Sequence, residues 1–157
     1  MVDAPRRYFE DLVVGDVRES STRIVSLEEL LEFARRYDPQ YFHADPQAAG
    51  DSCFRGIIAS GIHTAALWRA LDQEISGDIR WICGVAWEEV RWPHPVRPGD
   101  ALRARAECLV KRPSQSDPVR GVVEYRYSLR NQRDELVFTC RSVNLVERRP
   151  GRDAKPE

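Results

Sequence analysis

An aspartate and a histidine bracket the stretch Asp38-Pro39-Gln40-Tyr41-Phe42-His43. A carboxylate and an imidazole that meet on one water molecule can move protons near neutral pH, the imidazole titrating and the carboxylate serving as fixed partner. In a continuous helix the two would point in different directions; in a segment broken by Pro39 they can converge. A second feature lies downstream, where Gly56-Ile57-Ile58-Ala59-Ser60-Gly61 leads into an apolar stretch. The free amides of a helix start attract negative charge, and a glycine there lets a ligand approach the backbone closely. A carbonyl that becomes an enolate would gain from such a donor. Plainer readings stand beside both features. Asp before Pro is an ordinary helix terminator, Ser60 an ordinary N-cap and Gly61 an ordinary packing residue.

These residues need elements to hold them. Ser26 and Glu29 have capping-box spacing, so a helix is expected to begin at Ser26. Leu27, Leu30, Leu31, Ala34 and Tyr37 recur at helical spacing and give it one inward face. Asp38 precedes a proline, which disfavours the α conformation and ends the helix there. From Asp38 to Ser60 the periodicity is lost, and the Pro, Gly, Asp and aromatic content suggests an ordered excursion. A second helix is expected from Ser60-Gly61 through Leu71, apolar or small on nearly every side, with Arg69 its one clear charge. Such a helix is a buried one.

Residues 17–25 read as a first strand. Further on, Leu102, Ala104, Ala106, Cys108 and Val110 alternate with polar residues, as do Val123, Tyr125, Tyr127 and Leu129. These are strands with one wet and one dry face. Residues 79–92 and 135–147 add two more, with Asn131–Asp134 as a hairpin turn. Pro93 to Asp100 marks another turn and 111–118 a polar loop. A curved antiparallel sheet wrapped around one buried helix satisfies every element. This is an α+β architecture, the hotdog fold. It is expected to occupy residues 1–147, with the charged segment 148–157 as a disordered tail.

Bulk properties exclude several classes. The 24 basic and 25 acidic residues nearly cancel, so no overall field favours nucleic acid or an anionic membrane. No apolar run approaches the ~20 residues that span a bilayer, and the first residues do not lead into a signal-like apolar stretch. Cys53, Cys83, Cys108 and Cys140 are scattered, with no C-x-x-C pair and no histidine at ligand spacing, so neither a metal nor a disulfide framework is expected. A cytoplasmic, metal-free protein is the default. His63 reads as a structural histidine in the first turn of the buried helix, and His94, between two prolines, as a turn residue. Trp81, Trp87 and Trp92 suit sheet packing or a subunit contact.

The combined pattern Asp38-x4-His43-x-Asp45-Pro46, followed by Phe54-Arg55-Gly56-Ile57-Ile58-Ala59-Ser60-Gly61, resembles the MaoC-like dehydratase family, which includes the (R)-specific enoyl-CoA hydratases. The resemblance covers roughly residues 8 to 147. It implies a hotdog protein, commonly a dimer or higher homo-oligomer, acting on a thioester of coenzyme A or an acyl carrier, with no cofactor beyond that carrier. It implies that Asp38 and His43 position and activate water for addition to an enoyl thioester, or its removal. It further implies that the Gly61 amide binds the thioester oxygen. The family's usual Asn-Pro between the acidic residue and the histidine is Gln40-Tyr41 here, and the histidine often found before the glycine is Ser60. Gln40 and Ser60 are therefore candidate supporting residues, and Tyr41 a candidate constriction of the acyl pocket.

Two rival readings use the same scaffold. An acyl-CoA thioesterase of this fold often places a carboxylate on or opposite the central helix, but residues 61–71 hold no acid and Asp72 comes late. A non-catalytic acyl-thioester binding protein would not need the Asp38/His43 pair.

Overall fold

The computed structural model describes residues 5–150. A 3-10 turn, Phe9–Asp11, leads into β1 (Val17–Glu19) and β2 (Arg23–Ile24). Then come α1 (Leu27–Tyr37), α2 (Tyr41–Ala44), α3 (Pro46–Gly50) and α4 (Gly61–Ser76). The chain closes with β3 (Trp81–Arg91), β4 (Ala101–Pro113), β5 (Arg120–Arg130) and β6 (Leu136–Glu147). The strands form one antiparallel sheet in the order β1-β4-β5-β6-β3, with β2 also paired to β4.

The alternation read in β4 and β5 is the physical origin of the core. Leu102, Ala104, Ala106 and Cys108 of β4 and Val123, Tyr125, Tyr127 and Leu129 of β5 are all buried. Against that face lies α4, whose Leu67, Trp68, Leu71 and Ile75 are buried as well. The Trp68 indole sits 4.7 Å from the Tyr127 ring and 5.2 Å from Phe138 on β6. A sheet curling around one helix in this way is the hotdog fold.

Local departures have local causes. The expected single strand over 17–25 is split in two at Ser20. Its amide donates to the Ala104 carbonyl and its hydroxyl accepts from the Ala104 amide, while Ser21 turns away to Glu74. At the start of α1 the Ser26 hydroxyl accepts from the Glu29 amide, as expected. The Glu29 carboxylate does not complete the box, because Arg23 holds it. Tyr37, expected to face inward, is exposed, and Leu30 and Ala34 supply the buried face. The helix α4 is also not covered all round: Ile62, Ala66, Arg69 and Ala70 face outward. Of the segment expected to form a tail, 151–157 lie outside the described residues. Arg148 and Arg149 are held by Glu10 and Asp11.

Glycine 121 marks the tightest point between the entry segment and the sheet. A Cβ there would collide with the Phe9 ring. Gly121→Ala should therefore destabilise the protein by about 1–3 kcal/mol, the usual range for overpacking. Gly84→Ala, with only ordinary contact to Asn144 at 3.5 Å, should shift stability by no more than about 0.5 kcal/mol. Urea unfolding midpoints compare the two, and equal effects would contradict this packing.

Candidate active site

The irregular excursion between α1 and α4 is tightly built. Asp45 caps α3 by accepting from the Gln47 and Ala48 amides, with Pro46 in the first helical position, where its missing N–H is not needed. The chain turns at Arg55 (φ 54°) and Gly56 (φ 143°), and the Gly56 amide returns to the Ala49 carbonyl. Residues 57–60 then run extended between two neighbours: the Ile58 amide donates to Phe42 and the Ala59 amide to Val96. This brings Ser60 and Gly61 beside the end of α1.

Asp38 sits there, its side chain 21% exposed. Its Oδ2 accepts from the Ser60 hydroxyl at 2.7 Å and its Oδ1 from the Gln40 side-chain amide at 3.0 Å. Gln40 thus bonds the carboxylate directly despite its longer side chain. The Ser60 hydroxyl, then Gln40, and the nearby His43 hold the Asp38 carboxyl below its ordinary range, against a smaller opposing effect of burial. Ser60 occupies the N-cap position of α4 yet makes no side-chain cap bond.

His43 is buried. Its Nδ1 lies 2.8 Å from the Ile58 carbonyl. A carbonyl can only accept, so Nδ1 carries the proton and the unprotonated face of the neutral ring is Nε2. That atom is 3.7 Å from Asp38 Oδ2. The separation is too long for a direct hydrogen bond, and wide enough for one water oxygen to stand within reach of both.

His43 and Gly61 border a cavity of about 390 Å³, walled also by Phe54, Ile58, Thr64 and the segment Trp92–Val96. This is the size class of small-ligand sites. Asp38 and Ser60 are outside the lining, and Asp38 approaches it through His43, which does line it. The structure therefore brings together Asp38, His43, Gly61, Gln40 and Ser60. Tyr41, in contrast, points outward and is 53% exposed, so it does not narrow this cavity.

Two wall residues escaped sequence reasoning. Trp92 lies across Gly61, its indole N–H donating to the Gly61 carbonyl at 3.0 Å. His94 lines the same cavity, with Nδ1 3.0 Å from the Leu136 carbonyl. The sequence suited Trp92 to sheet packing or a subunit contact and His94 to a turn, and nothing local tied either to residue 61. His63 is buried and stacked on Phe33 at 4.3 Å, and burial pulls its pKa below the ordinary imidazole value against the pull of Glu29. Arg97 is occupied in bracing the loop, donating to the Phe54 carbonyl. Among the described residues, no cluster of three or more His, Cys, Asp or Glu could hold a metal ion. All four cysteines are free, Cys108 and Cys140 buried. No helix among the described residues is long and apolar enough to cross a membrane.

A helix-wrapping antiparallel sheet with this aspartate–histidine–glycine grouping defines a recognisable class. Residues 10–129 match the family model described as MaoC like domain, and the chain belongs to the MaoC-like dehydratase family. Its relatives include the uncharacterized protein YdeM of Bacillus subtilis (strain 168), 32% identical over 143 residues, which are 88% of this chain and 98% of that protein. A MaoC-like dehydratase from Rhodospirillum rubrum is 37% identical, with a TM-score of 0.84 over 93% of this chain and 100% of that one. An R-hydratase from Pseudomonas aeruginosa shares the fold at 22% identity, with a TM-score of 0.71 over 96% of this chain and 94% of that one.

The Asp38 environment has a pH consequence. A carboxyl group held low when folded stabilises the protein fully above its unfolded value of about 3.9, and that stabilisation is lost as pH falls through the lower folded value. Ser60→Ala removes the bond that contributes most. A carbon-detected NMR titration should then show the Asp38 midpoint rising towards the ordinary carboxylate value. An unchanged midpoint would mean that Ser60 does not hold the charge.

Proposed function

We propose that this protein is a hydro-lyase that adds water to, or removes it from, an enoyl/3-hydroxyacyl thioester, with Asp38 and His43 as its catalytic pair. The observation that carries the reading is the 3.7 Å gap between Asp38 Oδ2 and His43 Nε2, at the edge of a cavity that also borders the start of α4. Both facing atoms are acceptors, so one water can donate a hydrogen to each and keep an oxygen lone pair for attack. In the hydration direction the water oxygen bonds to C3 of the enoyl group. One of its protons passes to the pair, and the double-bond electrons move onto the thioester oxygen. The Gly61 N–H, free of an intrahelical partner at the first position of α4, donates to that oxygen. Return of the proton to C2 completes the addition, and dehydration is the reverse. Coenzyme A or an acyl carrier enters as part of the substrate, with no further cofactor.

The thioesterase alternative needs a carboxylate that can reach the substrate from the central helix. Asp72 has no exposed surface and is tied to Arg69 and Ser76, and Glu74 binds Ser21. Retention of the Asp38/His43 pair favours turnover over mere thioester binding.

The working unit in this reading is a homodimer. Strand β3 lies at the sheet edge with Ile82, Val85 and Trp87 exposed, and α4 presents Ile62 and Ala66 outward. An uncovered apolar edge is a liability that pairing removes, and two-fold pairing is its commonest closed form. Sedimentation at micromolar concentration is expected to give twice the chain mass, and a monomer alone would refute this.

A panel of crotonyl-, longer enoyl- and saturated acyl-CoAs tests the chemistry by following double-bond loss and thiol release separately. Asp38→Asn and His43→Gln should each lower hydration by at least ~100-fold with the fold retained. The double variant should be little worse than either, because both groups act on one water. Near-normal rates in both single variants would refute the assignment.

The glycine needs a paired comparison, because a methyl group at position 61 would stand 3.2 Å from Trp92 Cε2. Gly61→Ala and Gly61→Pro both carry that Cβ, and only proline deletes the N–H. Ser60 already has the extended backbone that a following proline requires (φ −56°, ψ 142°). The proline variant should turn over ~10²–10³-fold more slowly than the alanine variant. Equal rates would move the oxyanion donor elsewhere.

A further inference from the structure

We propose that Trp92 is a positioning and specificity-determining residue of this site, an inference that rests on the hydratase reading above. Trp92 follows the last residue of β3 and opens the cavity wall that runs to Val96. Its Nε1–H donates to the Gly61 carbonyl oxygen at 3.0 Å. The indole occupies the space that a side chain at position 61 would take: Cε2, Nε1 and Cδ2 stand 3.2, 3.3 and 3.6 Å from the place where a Cβ would be. The ring is backed by Phe138, 5.8 Å away, yet Trp92 remains 48% exposed. Burial alone therefore does not account for a tryptophan here.

The geometry has two effects. The Gly61 carbonyl is held from outside the helix, and the Gly61 amide, the oxyanion donor of the reading above, lies on the other side of the same α-carbon. Fixing the carbonyl restricts rotation of the first turn of α4 and so the direction of the amide. The indole also fills the space beside Gly61. Gly61 and Trp92 line the same cavity, so in the reading above an acyl group held at the Gly61 amide would lie against the indole wall, and a substituent at C2 would meet it.

Steady-state hydration of crotonyl-CoA and of its 2-methyl analogue tests this in the full chain and in Trp92→Phe, Trp92→Ala, Gly61→Ala and the double variant Gly61→Ala/Trp92→Ala. Trp92→Phe keeps an aromatic face and loses the N–H. It should lower kcat on crotonyl-CoA by roughly 3–10-fold with KM within about twofold, as for a small misplacement of a donor. Trp92→Ala should lower kcat further and reduce the preference for the unbranched substrate by at least ~10-fold, since the wall is gone. Gly61→Ala should cost ~10-fold or more alone and about twofold or less in the Trp92→Ala background, because the clash has been removed.

An equal cost of Gly61→Ala in both backgrounds, or an unchanged substrate preference in Trp92→Ala, overturns the proposal. Should Trp92→Ala fail to fold, Trp92→Leu takes its place in the same comparisons. If the unaltered protein hydrates none of the crotonyl- and longer enoyl-CoAs of the panel above, the hydratase reading fails, and the Trp92 role in that reaction falls with it. Urea unfolding of the same four variants separates the two failures. Coupling between positions 61 and 92 there upholds the contact without the chemistry, and additive shifts remove the contact itself.

Discussion

The hydrogen bond from Ser60 to Asp38 ties the end of one helix to the beginning of another. Asp38 closes α1, and Ser60 immediately precedes α4. A hydrogen bond to an ionised acceptor is short and strong compared with a neutral one, so it resists separation of these two helix ends. The consequence reaches both proposed chemical groups. The carboxylate is oriented by the same hydroxyl whose backbone leads into Gly61, and His43 is set from the opposite side by the Ile58 carbonyl. Loosening the Asp38–Ser60 contact would disturb both of these proposed groups together.

The central helix must reconcile a dry environment with polar residues. Asp72 lies wholly inside, where burial raises its pKa while Arg69 and Ser76 oppose that shift. One of its carboxylate oxygens has no hydrogen-bond partner, nor does the Trp68 indole N–H. A buried carboxylate held by an arginine at the protein edge is weak evidence of added stability, since desolvation offsets much of the attraction. Breaking the pair would still be harmful, because it would leave a charge without its counterion in the core. Polar groups thus lie on both sides of Trp68, one set at the start of α4 and the other a turn beyond the indole.

Much of the frame was legible because its causes are local. The Ser26 cap, the proline after Asp38 and the two-residue alternation in β4 and β5 act over a few positions, and each element forms where it was expected, except that β4 runs on to Pro113 into the stretch read as a loop. The pair Asp38 and His43 was legible for the same reason: Pro39 forces the break that lets them converge. What was hidden depends on distant partners. Ser60 has the residue type and place of an N-cap, but a carboxylate 22 positions earlier takes its hydroxyl. Trp92 meets Gly61 across 31 positions, and no periodicity encodes that meeting. Strand β3 lacks a clear inward and outward alternation because most of its residues are exposed, so its tryptophans gave no direction. The first strand divides at Ser20 for a comparable reason, its partner being Ala104 on another strand.

The clasp of Arg148 and Arg149 on Glu10 and Asp11 brings the 3-10 turn before β1 and the residues that follow β6 side by side. Topologically the elements then form a nearly closed loop, and the order in which they are synthesised is separable from the order in which they pack. A short peptide bridge could join the two clasped regions, with fresh ends opened in the turn between β4 and β5, without cutting any strand pairing or the α1–α4 junction. The architecture would accept a rearranged reading order while keeping the same interior.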